Sequence, residues 1–340
     1  MGSEQGPKKP QRRALFRAHF LQSAMPKSDD AAVRPSARPT PHWHALLLAL
    51  GGAVAFSGKA IIIKLAYRHG VDPATLIMLR MVCALPLFVL MAVWAGRGKP
   101  SMDRADLRSA GLLGFCGYYL SSMLDFMGLQ YVSAGLERLI LYLAPSLVML
   151  LGWAVYGRRA NRRQLVAAAL GYGGLAIVFG RELHVEGPRV ALGAALVVAS
   201  TLCYAVYLLY SGEVVRRVGA LRLAGWASIV ASGLCIAQYA LLRPIASALA
   251  VDTSVWWLSL LNGVLCTAAP ILMVMMAIER IGPALTAQLG MIGPVSTIAL
   301  GVLLLGEPFT AWVAAGSACV LGAVWLLTWQ GPACKPAKAG

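Results

Sequence analysis

Ten apolar stretches, each long enough to cross a bilayer, occupy nearly all of the chain after residue 43. A hydrocarbon core of roughly 30 Å takes about 20 apolar residues in a helix, which satisfies its own backbone hydrogen bonds. Only 13% of the residues are charged, whereas soluble domains carry about 25%. The sequence therefore predicts an all-α membrane protein with ten transmembrane helices, near residues 45–66, 73–95, 109–130, 134–156, 165–180, 190–211, 223–243, 255–278, 282–304 and 308–329.

The connections between these stretches alternate between many and few basic residues. Because short basic loops stay cytoplasmic, we place the N-terminus inside, which puts twenty-two of the 30 Lys and Arg residues on the cytoplasmic side. The outer side then receives four, namely Arg68, Arg181, Arg189 and Arg243. We expect a multi-pass membrane protein with both termini cytoplasmic. The net charge of +16 is then a topology signal, and it does not indicate a nucleic-acid partner.

The two ends of the chain differ from its apolar middle. Residues 1–43 are polar and hold Pro, Ser and Arg without a hydrophobic stripe, which predicts a disordered cytoplasmic tail. Residues 11–25 also resemble a targeting peptide, and Met25 is an alternative start. Residues 331–340 form a second cytoplasmic tail. The seven cysteines include no C-x-x-C pair, so we expect neither a metal site nor a cofactor.

The chain repeats itself after 149 positions. Aligned pairs are Gly114 with Gly263, Leu136 with Leu285, Pro145 with Pro294, Gly152 with Gly301, Gly157 with Gly306 and Gly173 with Gly322. The halves, 44–182 and 189–330, hold five predicted helices each. Because five is odd, the second half enters the membrane from the opposite side, which gives two inverted repeats and favours a transporter with alternating access. A duplication kept only for packing is the alternative.

The aligned prolines and glycines have a mechanical meaning. Pro145 and Pro294 lie in the middle of predicted helices, where each removes a backbone hydrogen bond and permits a kink. Gly152 and Gly301 follow seven residues later and allow close approach of a neighbouring helix. Bent, closely packed helices at matching places in both halves favour a central cavity.

The ten predicted spans fall into two copies. Gly306-Glu307-Pro308 precedes the last helix, and Gly157-Arg158 precedes the fifth. Together these features resemble the EamA-type family of the drug/metabolite transporter superfamily. The resemblance covers about residues 45–330. Arg158 stands where that family often has Glu, and the basic-loop rule accounts for it. The resemblance implies an inner-membrane carrier of small metabolites, frequently amino acids or their derivatives and often outward. It also implies a cavity lined by helices 1, 3, 4, 6, 8 and 9.

Five ionisable residues lie at similar depth in the first half: Lys59, Arg80, Asp125, Glu137 and Arg138. Charges inside lipid are costly and usually face a cavity or each other. Asp125 can neutralise Arg80 or Lys59 and Glu137 can pair with a neighbour, which leaves one positive charge over. We hypothesise that this cation meets a carboxylate or other anionic group of the solute. The alternative is a structural ion-pair network that only stabilises packing.

Polar and aromatic stripes complete the predicted lining. Tyr118, Ser122 and Asp125 share one face of a helix. Further candidates on other helices are Tyr142, Tyr204, Tyr207, Gln288 and Met291. Such a lining suits an amphipathic solute held by apolar walls and a few hydrogen bonds. Two species could be coupled to transport. One is a proton carried by a buried carboxylate, and the other is a counter-solute.

Other function classes lack their sequence signals. All five histidines fall in tails, loops or helix boundaries, so no histidine dyad or zinc site is expected in the membrane core. No Gly-x-x-x-x-Gly-Lys-[Ser/Thr] phosphate loop occurs. The sequence favours a secondary transporter that exports a small amphipathic metabolite. An uptake permease or exchanger of the same fold, an intramembrane enzyme and a passive channel are the alternatives.

Overall fold

The computed structural model describes residues 43–157, 161–281 and 283–328. Within these ranges the chain is α-helical, and no strand occurs in them. The tails predicted over residues 1–43 and 331–340 lie outside the described residues, apart from Trp43, with which the first helix begins. Arg158 of the predicted loop between the fourth and fifth spans also lies outside them.

The first half holds seven α-helices and one π-helical segment. They are α1 (Trp43–Tyr67), α2 (Pro73–Gly96), α3 (Arg104–Gly114), π1 (Phe115–Leu120), α4 (Ser121–Gly128), α5 (Ala134–Leu141), α6 (Ala144–Tyr156) and α7 (Arg162–Glu186). Side-chain oxygens accept from the first free backbone N–H groups of four of these helices, at Asp72, Asp103, Ser133 and Asn161. Such N-caps satisfy donors that have no partner inside the helix, which explains where these helices begin.

The second half has the same kinds of elements. They are α8 (Arg189–Val218), α9 (Ala220–Leu242), the short α10 (Ile245–Leu249), α11 (Thr253–Gly263), π2 (Val264–Ala268), α12 (Ala269–Ile281), α13 (Pro283–Gly290), α14 (Ile292–Leu300), π3 (Gly301–Leu305) and α15 (Ala311–Thr328). The helices α3, π1 and α4 follow one another without a break, and so do α11, π2 and α12.

Seven helical segments of the described chain, each made of one or more of these elements, are long and apolar enough to cross a membrane. They cover Trp43–Tyr67, Pro73–Gly96, Ala134–Val155, Arg162–Glu186, Arg189–Gly212, Ala220–Leu242 and Thr253–Ile278. Ile292–Leu305 and Ala311–Leu326 are apolar but shorter. Residues 104–128, which overlap the third span predicted at 109–130, carry arginines at one end and tyrosines, serines and Asp125 further along, which lowers their hydropathy. The chain is therefore an all-helical multi-pass protein with seven clear spans and further apolar helices.

The two halves match in local structure as well as in sequence. The π-helical segments π1 and π2 begin 149 residues apart, directly after Gly114 and Gly263. Gly157 and Gly306, also 149 apart, both adopt the left-handed conformation, with φ of 66° and 73°. Glycine reaches that region without the steric cost of a Cβ. The duplication seen in the sequence is therefore present in the backbone.

Both predicted kinks correspond to interruptions of a helix. In the first half α5 ends at Leu141 and α6 begins at Ala144, so that Pro145 lies in the first turn of α6. In the second half Met291 separates α13 from α14, and Pro294 lies in the first turn of α14. The breaks thus come before the prolines rather than at mid-helix positions. Pro fits the first turn because its missing N–H has no acceptor there.

Helices of one half pack against helices of the other. The pairs α2 with α9, α7 with α15, α1 with α12 and α4 with α8 are in extensive contact. Gly114 allows one close approach, because a Cβ at this position would lie 2.6 Å from the carbonyl oxygen of Ala227 in α9. Gly263 allows another, because its Cβ would lie 2.7 Å from the carbonyl oxygen of Arg80 in α2. The glycines let the two halves meet backbone to backbone.

Polar contacts at and near the helix ends define two ends of the helix bundle. At the basic end, Arg217 forms an ion pair with Asp106 at 2.8 Å, and Arg222 donates to the carbonyl oxygen of Pro100 at 2.8 Å. At the opposite end, Arg68 donates to the carbonyl oxygen of Leu305 at 2.7 Å. The arginine-rich loops 97–108 and 216–222 thus share one end, as the alternation of basic residues requires.

Candidate functional site

Two adjoining cavities lie between the halves of the bundle. Their volumes are about 290 Å³ and about 590 Å³. Both are lined by Phe56, Tyr118, Arg138, Tyr142, Tyr204 and Ile271. The larger cavity extends to Val215, Ala220 and Ile278, which are close to helix ends at the basic end of the bundle. The smaller cavity lies deeper and contains most of the charged groups.

Lys59 lies between two carboxylates at the wall of the smaller cavity. Its Nζ is 2.6 Å from Oδ2 of Asp125 and 3.3 Å from Oε1 of Glu137. Three helices, α1, α4 and α5, each supply one of the three residues. All three are buried, and Glu137 has no exposed surface. One ammonium group therefore faces two carboxyl groups.

Arg80 and Arg138 lie outside that cluster. Arg80 donates to Oγ of Ser122 at 3.2 Å, and its guanidinium lies 4.6 Å from the ring centre of Phe126. Arg138 donates to Oγ of Ser57 at 3.3 Å. Among the described side chains, no carboxylate forms an ion pair with either arginine, and the Nε atoms of both are buried without a hydrogen-bond partner.

Asp125 pairs with Lys59, one of the two partners considered from the sequence, whereas Glu137 shares that lysine instead of pairing with another cation. Here both carboxylates face Lys59. No carboxylate of the described residues lies within ion-pair distance of either guanidinium group. With all five groups ionised, their sum is one net positive charge, as expected from the sequence.

Arg138 also connects the interruptions of the two halves. Its guanidinium lies 5.0 Å from the ring centre of Phe56 and 5.6 Å from that of Tyr142. Tyr142, at the interruption between α5 and α6, donates to the carbonyl oxygen of Gly290 at 2.7 Å. Gly290 ends α13, directly before the matching interruption at Met291. One hydrogen bond therefore links the two interruptions directly.

Aromatic and hydroxyl groups form the remaining walls. Tyr118 and Tyr207 meet edge to face with ring centres 5.2 Å apart, and Tyr204 stacks on Tyr207 at 5.7 Å. Ser121 and Ser200 share a hydrogen bond of 3.0 Å below them. The lining combines large apolar faces with a few hydroxyl groups, which is the usual composition of a pocket for a small organic molecule.

Most of the site residues predicted from the sequence line one of the two cavities. The smaller cavity is lined by Lys59, Arg80, Tyr118, Ser122, Asp125, Arg138, Tyr142 and Tyr204, and the larger one also by Tyr207. Glu137 lies behind Lys59 and lines neither cavity. Met291 lies at the interruption between α13 and α14 and also lines neither. The side chain of Gln288 lies outside the described part of the structure.

Sequence reasoning missed several wall residues. They are Phe56, Met81, Ser228, Thr267 and Ile271. Phe56 precedes Lys59 by one helical turn, so the i, i+3 spacing could have identified it. Ile271 carries no signal of its own, because apolar residues are found on every face of these helices.

The opposite end of the bundle is tied together by acidic side chains. Oε1 of Glu307 accepts from the backbone N–H of Ala134 at 2.8 Å and lies 3.7 Å from Nζ of Lys64. Glu182 accepts hydrogen bonds from the backbone N–H and the hydroxyl group of Ser133. The Gly306-Glu307-Pro308 turn thus holds the second half against the start of α5 in the first half.

Comparison with known proteins agrees with this architecture. The model of the EamA-like transporter family matches residues 43–180 and again residues 191–329. Uncharacterized transporter YcbK of Bacillus subtilis is 31% identical over 271 residues, which is 75% of this chain and 83% of that protein. Uncharacterized transporter YoaV of the same organism is 22% identical, over 76% of this chain and 88% of that protein.

A solved crystal structure shows the same fold. It superposes with a TM-score of 0.57 at 20% sequence identity, covering 84% of this chain and 96% of that chain. The family and these relatives are transporters rather than enzymes. The chain is a membrane protein that belongs to the EamA-like transporter family of the drug/metabolite transporter superfamily.

Proposed function

We propose that the protein is a secondary transporter of the bacterial inner membrane that moves a small amphipathic metabolite, an amino acid or a related compound, by alternating access. Its ten membrane-crossing segments would form two inverted repeats, over residues 44–182 and 189–330, with both termini in the cytoplasm. The repeated π-helices and left-handed glycines support the repeats. The odd number of segments in each supports their inversion.

The observation that carries this proposal is the charged and aromatic cavity between the halves. It adjoins a larger cavity that extends to helix ends at the basic end, while Arg68, Glu307 and Glu182 tie the opposite end together. If the basic end is cytoplasmic, this is the state that loads solute from the cell. Release to the outside would then require these contacts at the opposite end to separate.

Export is the direction we propose, because the charged groups are deep and the neutral, mainly apolar walls are on the cytoplasmic side. The lining toward the basic end includes Tyr207, Val215 and Val274. Asp125 and Glu137 are the candidates for a coupled proton, since both are buried carboxylates. Exchange against a counter-solute is the other route by which such a carrier is energised.

Counterflow in proteoliposomes tests the carrier function. Purified protein is reconstituted, the vesicles are loaded with unlabelled solute, and labelled solute is added outside. A carrier gives transient accumulation of label and a flux that saturates with solute concentration. A passive channel gives neither, and an intramembrane enzyme gives a chemically altered solute.

The solute class and the direction are tested in cells. Overexpression is combined with growth on a panel of toxic amino acids and their analogues. An exporter confers resistance to one class of these compounds, whereas an uptake permease increases sensitivity. An arginine control, Arg189→Gln at the exposed start of α8, should behave as the wild type.

A further inference from the structure

The two arginines of the smaller cavity are its most unusual feature. The exposed fractions of Arg80 and Arg138 are 3% and 4%. A buried guanidinium group is normally compensated by a carboxylate or by several hydrogen bonds, because removing the charge from water is costly. Each of these has one side-chain hydrogen bond and an aromatic ring beside it, and a buried Nε without a partner among the described residues.

The remaining donors of both groups can be used by one ligand. Arginine presents five N–H donors in a planar fork that matches a carboxylate. Both arginines line the same cavity of about 290 Å³, so both are within reach of a solute inside it. Aromatic rings lie beside each guanidinium and leave its edge for hydrogen bonding.

The charge of the whole site selects among carboxylates. With both carboxyl groups ionised, Lys59, Arg80 and Arg138 give three positive charges, and Asp125 and Glu137 give two negative ones. A solute with one net negative charge brings the site to neutrality. A zwitterion leaves it positive, and its ammonium group would compete with Lys59, which already lies 2.6 Å from Asp125. A dianion would leave an excess negative charge in a medium of low dielectric constant, where it is costly.

This inference rests on the proposed carrier function and names its substrate class. We propose that the protein selects organic monoanions over zwitterions, with the carboxylate of the solute bound by Arg80 and Arg138. Its apolar body lies against Phe56, Tyr118, Tyr142 and Tyr204. N-acylated amino acids and hydroxy or keto acids meet this description, whereas free amino acids do not.

Binding to the purified wild-type protein tests the charge selection directly. Isothermal titration calorimetry compares four probes with one ring, N-acetylphenylalanine, phenylalanine, phenethylamine and phenyl phosphate. We expect N-acetylphenylalanine to bind at least about tenfold more tightly than the other three, a factor that corresponds to about 1.4 kcal/mol. Equal or tighter binding of phenylalanine or phenyl phosphate, or no binding of N-acetylphenylalanine, overturns the inference.

Substitution of the arginines tests which groups bind the carboxylate. Arg80→Gln and Arg138→Gln should each raise the Kd of N-acetylphenylalanine at least about tenfold, because a buried charge loses its partner. Arg138→Lys, which keeps the charge without the fork, should fall between Arg138→Gln and the wild type. Arg189→Gln should bind as the wild type. Unchanged binding in both glutamine variants contradicts the assignment, and the probe series on the wild type decides if these variants fail to fold.

Counterflow of the same probes separates this inference from the proposed function. Saturable counterflow of phenylalanine without preference for the anion contradicts the selection of monoanions and supports the carrier function. Tight, arginine-dependent binding of N-acetylphenylalanine with only linear, non-saturating flux supports the proposed binding site and contradicts the carrier function.

Discussion

The side chain of Lys59 determines how charge is distributed in the core of the bundle. It faces Asp125 at 2.6 Å and Glu137 at 3.3 Å. Two buried carboxylates this close to one ammonium repel each other, and the ammonium offsets that repulsion. Because both carboxyl groups contact Lys59, neither forms an ion pair with Arg80 or Arg138, and N–H donors of these two arginines are left for a solute. The distribution of charge at the site thus depends on a single lysine.

Removal of the Lys59 charge should therefore destabilise the whole bundle. We expect Lys59→Met to lower the free energy of unfolding by about 3 kcal/mol, since one partner of a buried ion pair is removed and the others stay charged. Thermal unfolding in detergent measures it. The triple variant Lys59→Met, Asp125→Asn, Glu137→Gln should recover much of the loss.

An ion pair at the surface provides the comparison for Lys59. Arg243 lies 2.8 Å from Asp72 and has a side chain that is 48% exposed. Exposed pairs contribute about 0 to 1 kcal/mol, so Arg243→Gln should change stability little. A loss in Lys59→Met no larger than that in Arg243→Gln would contradict the role given to the buried cluster.

The helices meet through glycines at matched places in the two halves. Gly114 ends α3 directly before π1 and lies against the backbone of Ala227 in α9. Gly263 ends α11 directly before π2 and lies against the backbone of Arg80 in α2. A backbone neighbour cannot rotate away as a side chain can. These contacts therefore set how closely the two halves approach each other.

Gly114→Ala should be destabilising for this reason. Its methyl group would lie 2.6 Å from the carbonyl oxygen of Ala227, and overpacking of this kind costs about 1 to 3 kcal/mol. Gly111→Ala in the same helix is the matched control, because a Cβ there meets nothing within 4 Å. We expect that control to be neutral or slightly stabilising, since Ala favours helices over Gly. Equal thermal unfolding of the two variants would contradict the packing argument.

Contacts between elements at the opposite end should limit transport. Arg68 follows α1 and donates to the carbonyl oxygen of Leu305, the last residue of π3, at 2.7 Å. In a background without the native cysteines, a cleavable crosslink between Arg68→Cys and Leu305→Cys should stop counterflow, and cleavage should restore it. Each single variant treated with the same reagent is the control. Full counterflow in the crosslinked protein would show that this end does not open.

At the scale of the whole molecule, the sequence predicted the helical membrane fold, the duplication and the charged residues that line the smaller cavity. Periodic apolar stretches and matched glycines are local signals, so they are visible without a structure. The pairing of Lys59 with both carboxylates was not predicted, because residues 66 and 78 positions apart meet only after the helices pack. Ile271 and Thr267 of the second half were missed for the same reason.

The central claim of the account is that two similar halves cross the membrane in opposite directions. Ala160 and Phe309 are 149 positions apart and therefore equivalent in the two repeats. Single cysteines at these positions, in a background without the native ones, are labelled in intact cells with a membrane-impermeant maleimide. The account predicts that Phe309→Cys is labelled from outside and Ala160→Cys only after permeabilisation. Labelling of both from the same side would contradict inverted repeats, and with them the proposed alternating access.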